Sequence, residues 1–207
     1  MSEFISSTFG KISGRHGTAV AMKSKSTGKT FLRMHAVPSD PKTPKQIAQR
    51  SKFGFVTSEM KCMRNLFKFT FGGIAGVNHG VSLAFGAVTG EYPDFIFDYS
   101  KLIISQGGLD IAGHATAVKT IGTTLKFDWD NTVGNQSTEN DWVNIFLLNA
   151  TTKVGLHKKG DMIRSQGTNE IELPAVWAGQ SVHCWIFFTS TDGISISDSR
   201  YIDMVQL

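Results

Sequence analysis

The spacing of the hydrophobic residues changes along the chain, and it predicts helices in one part and strands in another. Between residues 44 and 71, apolar side chains recur every three or four positions, which is the period of a helix with one apolar and one basic face. These apolar positions are Val56, Met60, Met63 and Phe67. The glycines from residue 72 onward end this helix, and NHGVSLAFGAV predicts a second, shorter helix.

Upstream of the helix, two strand-like runs in GTAVAMKSKSTGKTFLRMHAV flank a turn at residues 26–29, which predicts a β-hairpin. Gly28 in this turn is available for a positive φ angle. The hairpin is followed by Pro38, Pro41 and Pro44, whose fixed φ angles predict a stiff, extended crossover. Pro44 fits the first position of the helix, because the N–H group that it lacks has no partner there.

From residue 99 onward, short apolar runs of strand character are separated by turns rich in Gly, Asn and Asp. The predicted strands are KLIIS, TAVK, TLKFDW, DWVNIFLLN, IELP, VHCWIFFTS and ISISDSRYIDMV. This pattern is typical of a β-sandwich. We therefore predict a mainly β chain, with an N-terminal arm, hairpin, crossover and helices at residues 1–98 and a sandwich at residues 99–207. Alternation within the strands places Trp129, Phe146 and Trp185 in the sandwich core.

Charge is distributed unevenly along the chain. The first 70 residues contain thirteen Lys and Arg against three carboxylates, a formal charge of +10. The other 137 residues contain eight Lys and Arg against fourteen carboxylates, a formal charge of −6. Such asymmetry indicates two regions with different partners.

The basic residues of the N-terminal region are the candidate partner-binding site. On a strand, Lys23 and Lys25 would share one face, because side chains alternate with a period of two. The complete set is Arg15, Lys23, Lys25, Lys29, Arg33, Lys42, Lys45 and Arg50. This surface suits the carboxylates of a neighbouring subunit or the phosphates of nucleic acid, and the alternative is a solvated face that only keeps the chain soluble. We favour a protein partner, because the segment lacks interleaved aromatics and a known DNA-reading helix.

Motifs of catalysis, metal binding or cofactor binding are not recognised in the sequence. GKISGRHG and STGKT do not fit the phosphate-binding loop pattern, and the six histidines lack metal-ligand spacing. Asp128 and Asp130 would share one face of a strand, but the intervening Trp129 and the following NTVG turn favour a solvated strand end. We therefore expect a non-enzymatic protein without a cofactor or metal.

Two further features concern the cellular compartment. Cys62 lies in a helix pattern and Cys184 in a strand pattern, so we expect two separate buried thiols, and a disulfide between them stays open. No apolar run approaches the roughly 18 residues of a membrane-spanning helix. The segment MSEFISSTFGKISG lacks the basic start and apolar block of a signal peptide. The sequence therefore predicts a soluble protein of a virion or of the cytoplasm.

The C-terminal segment LPAVWAGQSVHCWIFFTSTDGISISDS resembles the end of a fibronectin type III module. The shared features are Leu-Pro, a spacer with Gly179, an alternating strand and a hairpin that runs to Ser-x-Ser. The tyrosine usual at the preceding corner is absent, and His183 or Trp185 lies nearest its place. The resemblance implies a fibronectin/immunoglobulin-like β-sandwich.

Over nearly its full length, the chain also resembles an uncharacterised family of similarly sized proteins from Bacteroidota, a domain of unknown function. The matching features are GKISGRHG, FDWDN, LPAVWAGQSVHCWIFFTSTDG, and a crossover motif made of Arg33, Pro38, Pro44, Gln46, Gln49, Arg50 and Phe53. The crossover motif is similar, more weakly, to small structural proteins of phages and prophages.

These observations predict a non-enzymatic assembly protein, a component of a virion or similar particle that docks through its basic N-terminal region. One alternative is a nucleic-acid-binding module, whose affinity would fall steeply with salt. The other is a carbohydrate- or surface-binding sandwich in which Trp142 or Trp177 stacks on a sugar. An exposed Trp in a concave surface would favour that alternative, and a buried Trp would remove it.

Overall fold

The computed structural model describes residues 13–36, residue 40 and residues 42–207. The chain divides into two compact units, Met1–Thr43 and Pro44–Leu207. Pro38 and Pro41 of the predicted crossover lie outside the described residues. Pro44 is the first residue of a helix, as predicted.

The described residues of the first unit form a three-stranded antiparallel sheet. Its strands are β1 Gly14–His16, β2 Ala19–Lys23 and β3 Thr30–Met34. The pairing of β2 with β3 confirms the predicted hairpin, and Gly28 in its loop has a positive φ of 69°. Among the described residues of this unit, Ala21 is the only buried hydrophobic one, so this part of the sheet has no core of its own.

In the second unit, the described residues 44–87 form three α-helices. They are α1 Pro44–Glu59, α2 Arg64–Thr70 and α3 Gly73–Ala84, with 3-10 turns at Met60–Met63 and Phe85–Ala87. The long helix that the sequence predicts is therefore interrupted between α1 and α2. Its apolar stripe is confirmed, because all four predicted positions are buried: Val56, Met60, Met63 and Phe67.

Helices α2 and α3 approach so closely that a glycine is required between them. A Cβ atom at Gly80 would lie 2.6 Å from Cγ of Phe67, far inside the optimal carbon–carbon separation of about 3.5–4.0 Å. The turn between the helices uses Gly72 and Gly73, whose φ angles are 81° and 60°. Gly80 therefore leaves the space that the fully buried ring of Phe67 fills.

Strands form the rest of the unit. A short hairpin of β4 Val88–Thr89 and β5 Ile96–Phe97 follows the helices. Residues 115–206, all of which the structure describes, then form seven strands: β6 Ala115–Lys119, β7 Thr124–Trp129, β8 Trp142–Asn149, β9 Gly155–Lys158, β10 Thr168–Glu172, β11 Ser181–Thr189 and β12 Arg200–Gln206. One sheet has the order β10-β7-β6 and the other β12-β11-β8-β9, and all pairs are antiparallel. The fold is mainly β with a sandwich of two antiparallel sheets, as predicted.

The predicted strands differ from the structure in several places, and one is that β12 begins at Arg200, so the first half of ISISDSRYIDMV is not a strand. KLIIS is not a strand, because its backbone groups bond to side chains instead of a ladder: Nε1 of Trp185 donates to the carbonyl of Leu102, and the Ile104 amide donates to Oγ of Ser199. Conversely, β9 lies in a segment predicted as a loop. A tight turn, with Lys153 at a φ of 55°, returns the chain so that β9 pairs with β8.

The four-stranded sheet is buried on both of its faces. One face packs against the three-stranded sheet. The core between the two sheets includes Trp129, which belongs to the three-stranded sheet. The other face packs against the helices, and both Phe146 and Trp185 lie there. The prediction that these three aromatic residues are buried is confirmed, but Phe146 and Trp185 belong to the helix side and not to the core between the sheets. The unit thus has three layers: helices, four-stranded sheet and three-stranded sheet.

The division between compact units falls between Thr43 and Pro44, whereas the sequence predicted a boundary between residues 98 and 99. The helices at residues 44–87 share a continuous apolar core with β8 and β11. Because that core is common to both segments, helices and sandwich form one compact unit.

A buried arginine fastens the loops at one end of the sandwich. The guanidinium carbon of Arg164 lies 3.7 Å from the ring centroid of Phe188, and its Nε is 3.6 Å from Oδ2 of Asp141. The same guanidinium donates hydrogen bonds to the carbonyls of Asp110, at 2.7 Å, and Thr132, at 3.4 Å. One side chain thereby joins three loop segments that are distant in sequence.

Candidate interaction surface

All eight predicted partner-binding residues are exposed. Three lie on the strands of the first unit, two lie in the β2–β3 loop, and three lie between residue 42 and the first half of α1. In that order they are Arg15, Lys23 and Arg33; Lys25 and Lys29; and Lys42, Lys45 and Arg50.

The strand register shows which of the cations share a face. Arg15 and Arg33 both pair with Val20, one from each side, so the three residues form a row across one face of the sheet. Lys23 pairs with Thr30 and lies on the opposite face. Lys25 follows the end of β2, so the prediction that it shares a strand face with Lys23 is wrong.

The β2–β3 loop brings three lysines to one end of the sheet. The Ser24 amide donates to the carbonyl of Lys29 at 2.9 Å, and the Gly28 amide donates to the carbonyl of Ser24 at 2.9 Å. These bonds close the loop, and Lys23, Lys25 and Gly28 line a shallow depression of about 370 Å³ beside it. The fixed loop therefore concentrates positive charge at the end of the hairpin.

Carboxylates are scarce around these cations. Between residues 13 and 43 the sequence contains six Lys and Arg, and Asp40 is the single carboxylate. Positive charge on this scale attracts anions over about 8–10 Å at ordinary ionic strength. The surface therefore suits carboxylates of another protein or phosphates.

Helix α1 borders a second surface, an apolar groove between α1 and α3 with a volume of about 520 Å³. Its apolar lining includes Phe53, Met60 and Val77, and Lys61 and Arg64 provide its charged edge. The sequence analysis missed this groove, because it assigned the apolar residues of α1 and α2 to a single buried stripe. The available signal was Phe53, an aromatic residue that lies three positions before the predicted stripe begins and is 55% exposed.

The tryptophans of the sandwich bear on the carbohydrate alternative. Trp177 is only 4% exposed and belongs to the core between the sheets, which removes it as a stacking platform. Trp142 is half-buried and lines a shallow cleft of about 300 Å³ together with Phe69, Lys159 and Asp192. Trp142 is therefore the candidate that the structure retains.

Comparison with known proteins places the chain in a family. The model of a family of unknown function, DUF6266, matches residues 11–203. The chain belongs to this family. No curated protein matches the DUF6266 chain.

Two solved structures are similar to about half of the DUF6266 chain. The twitchin kinase region from C. elegans (Fn31-NL-kin-CRD-Ig26) is 12% identical, with 49% of this chain and 16% of that chain covered and a TM-score of 0.36. The fn3 domain of the human collagen alpha-1(XX) chain is 9% identical, with 49% of this chain and 84% of that chain covered and a TM-score of 0.33. The match thus spans less than a fifth of the twitchin region.

A polar cluster joins the helices of the DUF6266 chain to the sandwich. The Tyr99 hydroxyl donates to Oε2 of Glu59, and Nζ of Lys153 lies 2.8 Å from the same oxygen. Burial, followed by the bond to Glu59, raises the pKa of Tyr99 well above its usual value. The ring of Tyr99 also stacks on His183, with 4.5 Å between centroids. Burial lowers the pKa of His183, which favours the neutral form of its imidazole beside the Lys153–Glu59 ion pair.

The FDWDN segment of the DUF6266 chain has ordinary structural roles. Asp128 pairs with Lys126 at 3.3 Å, and Asp130 accepts hydrogen bonds from the amide and hydroxyl of Thr132. Bonds from Thr168 to Asp128 and from Thr132 to Asp130 lower the pKa of each carboxyl. Trp129, which separates the two aspartates in the sequence, is part of the core between the two sheets, as the sequence predicts.

The two cysteines of the DUF6266 chain are not joined by a disulfide. Cys62 and Cys184 are free thiols, one half-buried and one buried. Across the described residues, no group of three or more His, Cys, Asp or Glu side chains is arranged to hold a metal ion. The helices within the described ranges are too short or too polar to cross a membrane.

Proposed function

We propose that the DUF6266 chain is a non-enzymatic assembly protein, a component of a virion or similar particle that docks onto other protein subunits through its basic N-terminal region. The composition of the first unit supports this proposal. Its described residues form a sheet with exposed cations and one buried hydrophobic residue. Small sheets need a hydrophobic face or a packed partner for stability. A partner surface would supply that packing.

A protein partner fits the arrangement of the cations better than nucleic acid does. The cations lie on both faces of the sheet and at its end, with Arg15 and Arg33 on one face and Lys23 on the other. A single-strand platform would alternate cations with exposed aromatic rings, and Phe31, the one aromatic residue of β2 and β3, is half-buried. Carboxylates of a neighbouring subunit can meet such a surface from several directions.

The test is incorporation of the chain into its native particle. The wild-type chain and a variant with Lys23→Glu, Lys25→Glu, Lys29→Glu and Arg33→Glu are expressed in the native source, and particles are separated by density-gradient sedimentation. All four positions are exposed, so the variant should fold. We expect the wild-type chain to sediment with the particle and the variant to remain unbound. If the variant enters the particle normally, docking must occur through the second unit instead.

Nucleic acid binding is the second candidate, because the same cations would neutralise phosphates. Four contacts to duplex DNA would give a slope near −3.6 for log affinity against log salt concentration, at about 0.9 per contact. Affinity for DNA is therefore measured with the isolated protein at two salt concentrations. Sub-micromolar binding with that slope would indicate that the partner is nucleic acid and not a protein subunit.

A further inference from the structure

The lining of the groove between α1 and α3 suits an occupant that is both apolar and acidic. Its volume of about 520 Å³ lies within the range of roughly 300–1,000 Å³ for clefts that hold ligands. Phe53, which is 55% exposed, offers apolar surface, Met60 and Val77 are buried members of its lining, and Lys61 and Arg64 stand three residues apart in the same lining. Residues at this spacing are neighbours on a helix surface. The two cations can therefore contact two neighbouring carboxylates.

The helices themselves supply no carboxylate for these cations. Residues 44–87 contain six Lys and Arg, and Glu59 is their single carboxylate. Glu59 is already bonded to Tyr99 and Lys153. An acidic occupant would therefore meet Lys61 and Arg64 without competition from a free carboxylate of the helices.

The β4–β5 hairpin of the same chain carries this combination of groups. Its tip presents Tyr92, which is 50% exposed, and Ile96, which is 65% exposed. Glu91 and Asp94, on either side of Tyr92, are exposed as well. The tip is fixed by the pairing of Thr89 with Ile96. The hairpin therefore presents an exposed aromatic side chain that is flanked by two carboxylates.

A chain cannot place this tip in its own groove. Phe55 of α1 packs against Phe95 and Phe97 of the hairpin region, with 5.9 and 6.5 Å between ring centroids. At 3.6 residues per turn, Phe55 projects roughly 130° away from the middle of the groove-lining residues of α1, which are Phe53, Gly54, Thr57 and Ser58. Hairpin and groove therefore lie on opposite sides of α1. The tip can reach only the groove of another molecule.

We propose that the hairpin tip of one copy binds the α1–α3 groove of the next copy, with Tyr92 against Phe53 and with Glu91 and Asp94 facing Lys61 and Arg64. This inference rests on the proposed function for its premise that the chain acts in an assembly. The contact joins two different surfaces, so it is heterologous and repeats from copy to copy. Its products are rings or filaments of the chain, depending on whether the rotation between copies closes.

The test uses variants that block one surface each in the full chain. A Cβ atom at Gly54, which lines the groove, meets no atom within 4 Å, so a side chain can be added there and Gly54→Trp should place its ring in the groove. Tyr92→Ala removes the anchor of the tip. Gly54→Ala, which leaves the groove open, and Ile194→Ala, at an exposed residue of the β11–β12 loop, are the matched controls. Self-association is measured by sedimentation velocity over a range of protein concentrations.

We expect the wild-type chain and both controls to form concentration-dependent oligomers, and Gly54→Trp and Tyr92→Ala each to remain monomeric. Each blocked variant keeps one intact surface, so an equimolar mixture of the two should form heterodimers and nothing larger. Reversal of Lys61 and Arg64 to Glu should abolish association, and added reversal of Glu91 and Asp94 to Lys should restore it. A monomeric wild-type chain, or oligomers that both blocked variants still form, would overturn the inference. Neither result would affect the proposed function, because incorporation of the β2–β3 charge-reversal variant into the particle is scored separately.

Discussion

Replacement of Trp185 by alanine tests whether the four-stranded sheet is covered on both faces. The side chain is 0% exposed and lies on the helix side of β11. Its ring meets Tyr201 edge-on, with 5.3 Å between centroids, and lies 5.9 Å from the ring of Phe146. Its Nε1 donates to the carbonyl of Leu102 at 3.3 Å. The substitution therefore removes apolar contacts and one buried hydrogen bond together.

Both losses contribute to the expected change in the free energy of unfolding. Truncation of a fully buried aromatic side chain to alanine costs about 3–5 kcal/mol. The Leu102 carbonyl loses its donor as well, which adds about 1 kcal/mol if water does not replace it. Trp185→Phe keeps most of the ring and removes the donor, so we expect that variant to lose less than half as much stability as Trp185→Ala.

Equilibrium unfolding in urea, followed by far-ultraviolet circular dichroism, measures both changes. Native-state hydrogen exchange then locates the damage, because the cavity lies between β11 and the helices. We expect amide protection in α2 and α3 to fall more than protection in β6 and β7. A loss of stability well under 1 kcal/mol in Trp185→Ala would refute the burial. Loss of protection confined to the three-stranded sheet would refute the assignment of Trp185 to the helix side.

Two further predictions concern a close helix contact and a buried histidine. Gly80→Ala should destabilise the chain by about 1–3 kcal/mol, because its Cβ would meet the ring of Phe67. Gly54→Ala should stabilise the chain by up to about 1 kcal/mol, because alanine favours a helix more than glycine does and its Cβ meets no atom. The thermal unfolding temperatures of the two variants should therefore shift in opposite directions. Burial lowers the pKa of His157 to about 4, so the unfolded chain binds the proton first and stability should fall as the pH decreases from about 6.5 towards 4. Unfolding free energies measured across this range should depend less on pH in His157→Gln, and an unchanged slope would contradict the assignment.

The predictions that succeeded rest on local signals. Val56 and Phe67 could be assigned to a buried face because helical spacing alone fixes which residues share a side. Gly28 could be placed in the hairpin turn because few other residues adopt its φ angle readily. Pro44 marked the start of α1 for a similar reason, since its ring fits only the first turn of a helix. Each of these inferences needs no knowledge of distant parts of the chain.

The predictions that failed depend on tertiary contacts. Strands β8 and β11 contain the runs IFLL and CWIFF, which are apolar at successive positions and not at alternate ones. Continuous apolar runs are typical of strands buried on both faces. The sequence analysis interpreted them as alternating and so placed Phe146 and Trp185 between the sheets. The correct assignment also needs the helices as a covering layer, and nothing in the strands themselves identifies that layer.

The groove and the hairpin tip show another limit of sequence reasoning. Phe53 and Tyr92 are exposed aromatic residues in segments that also contain half-buried aromatics such as Phe55 and Phe97. Composition does not separate exposed from buried members of such a group. Only the direction in which α1 or the β4–β5 hairpin presents each side chain makes the distinction, and that direction is set by how the two elements pack.

The helical cover on the four-stranded sheet has a consequence for how such a gene can evolve. Sandwich modules that fold alone can be exchanged between proteins by recombination, because each carries everything it needs for stability. Here the outer face of the sheet, with Phe146, Trp185 and Phe187, depends on helices encoded upstream of it. A sandwich inherited without them would expose these aromatic residues to water and aggregate. We therefore expect recombination to transmit residues 44–207 as a single piece, and new interactions to arise at its loops, its strand edges and the N-terminal unit.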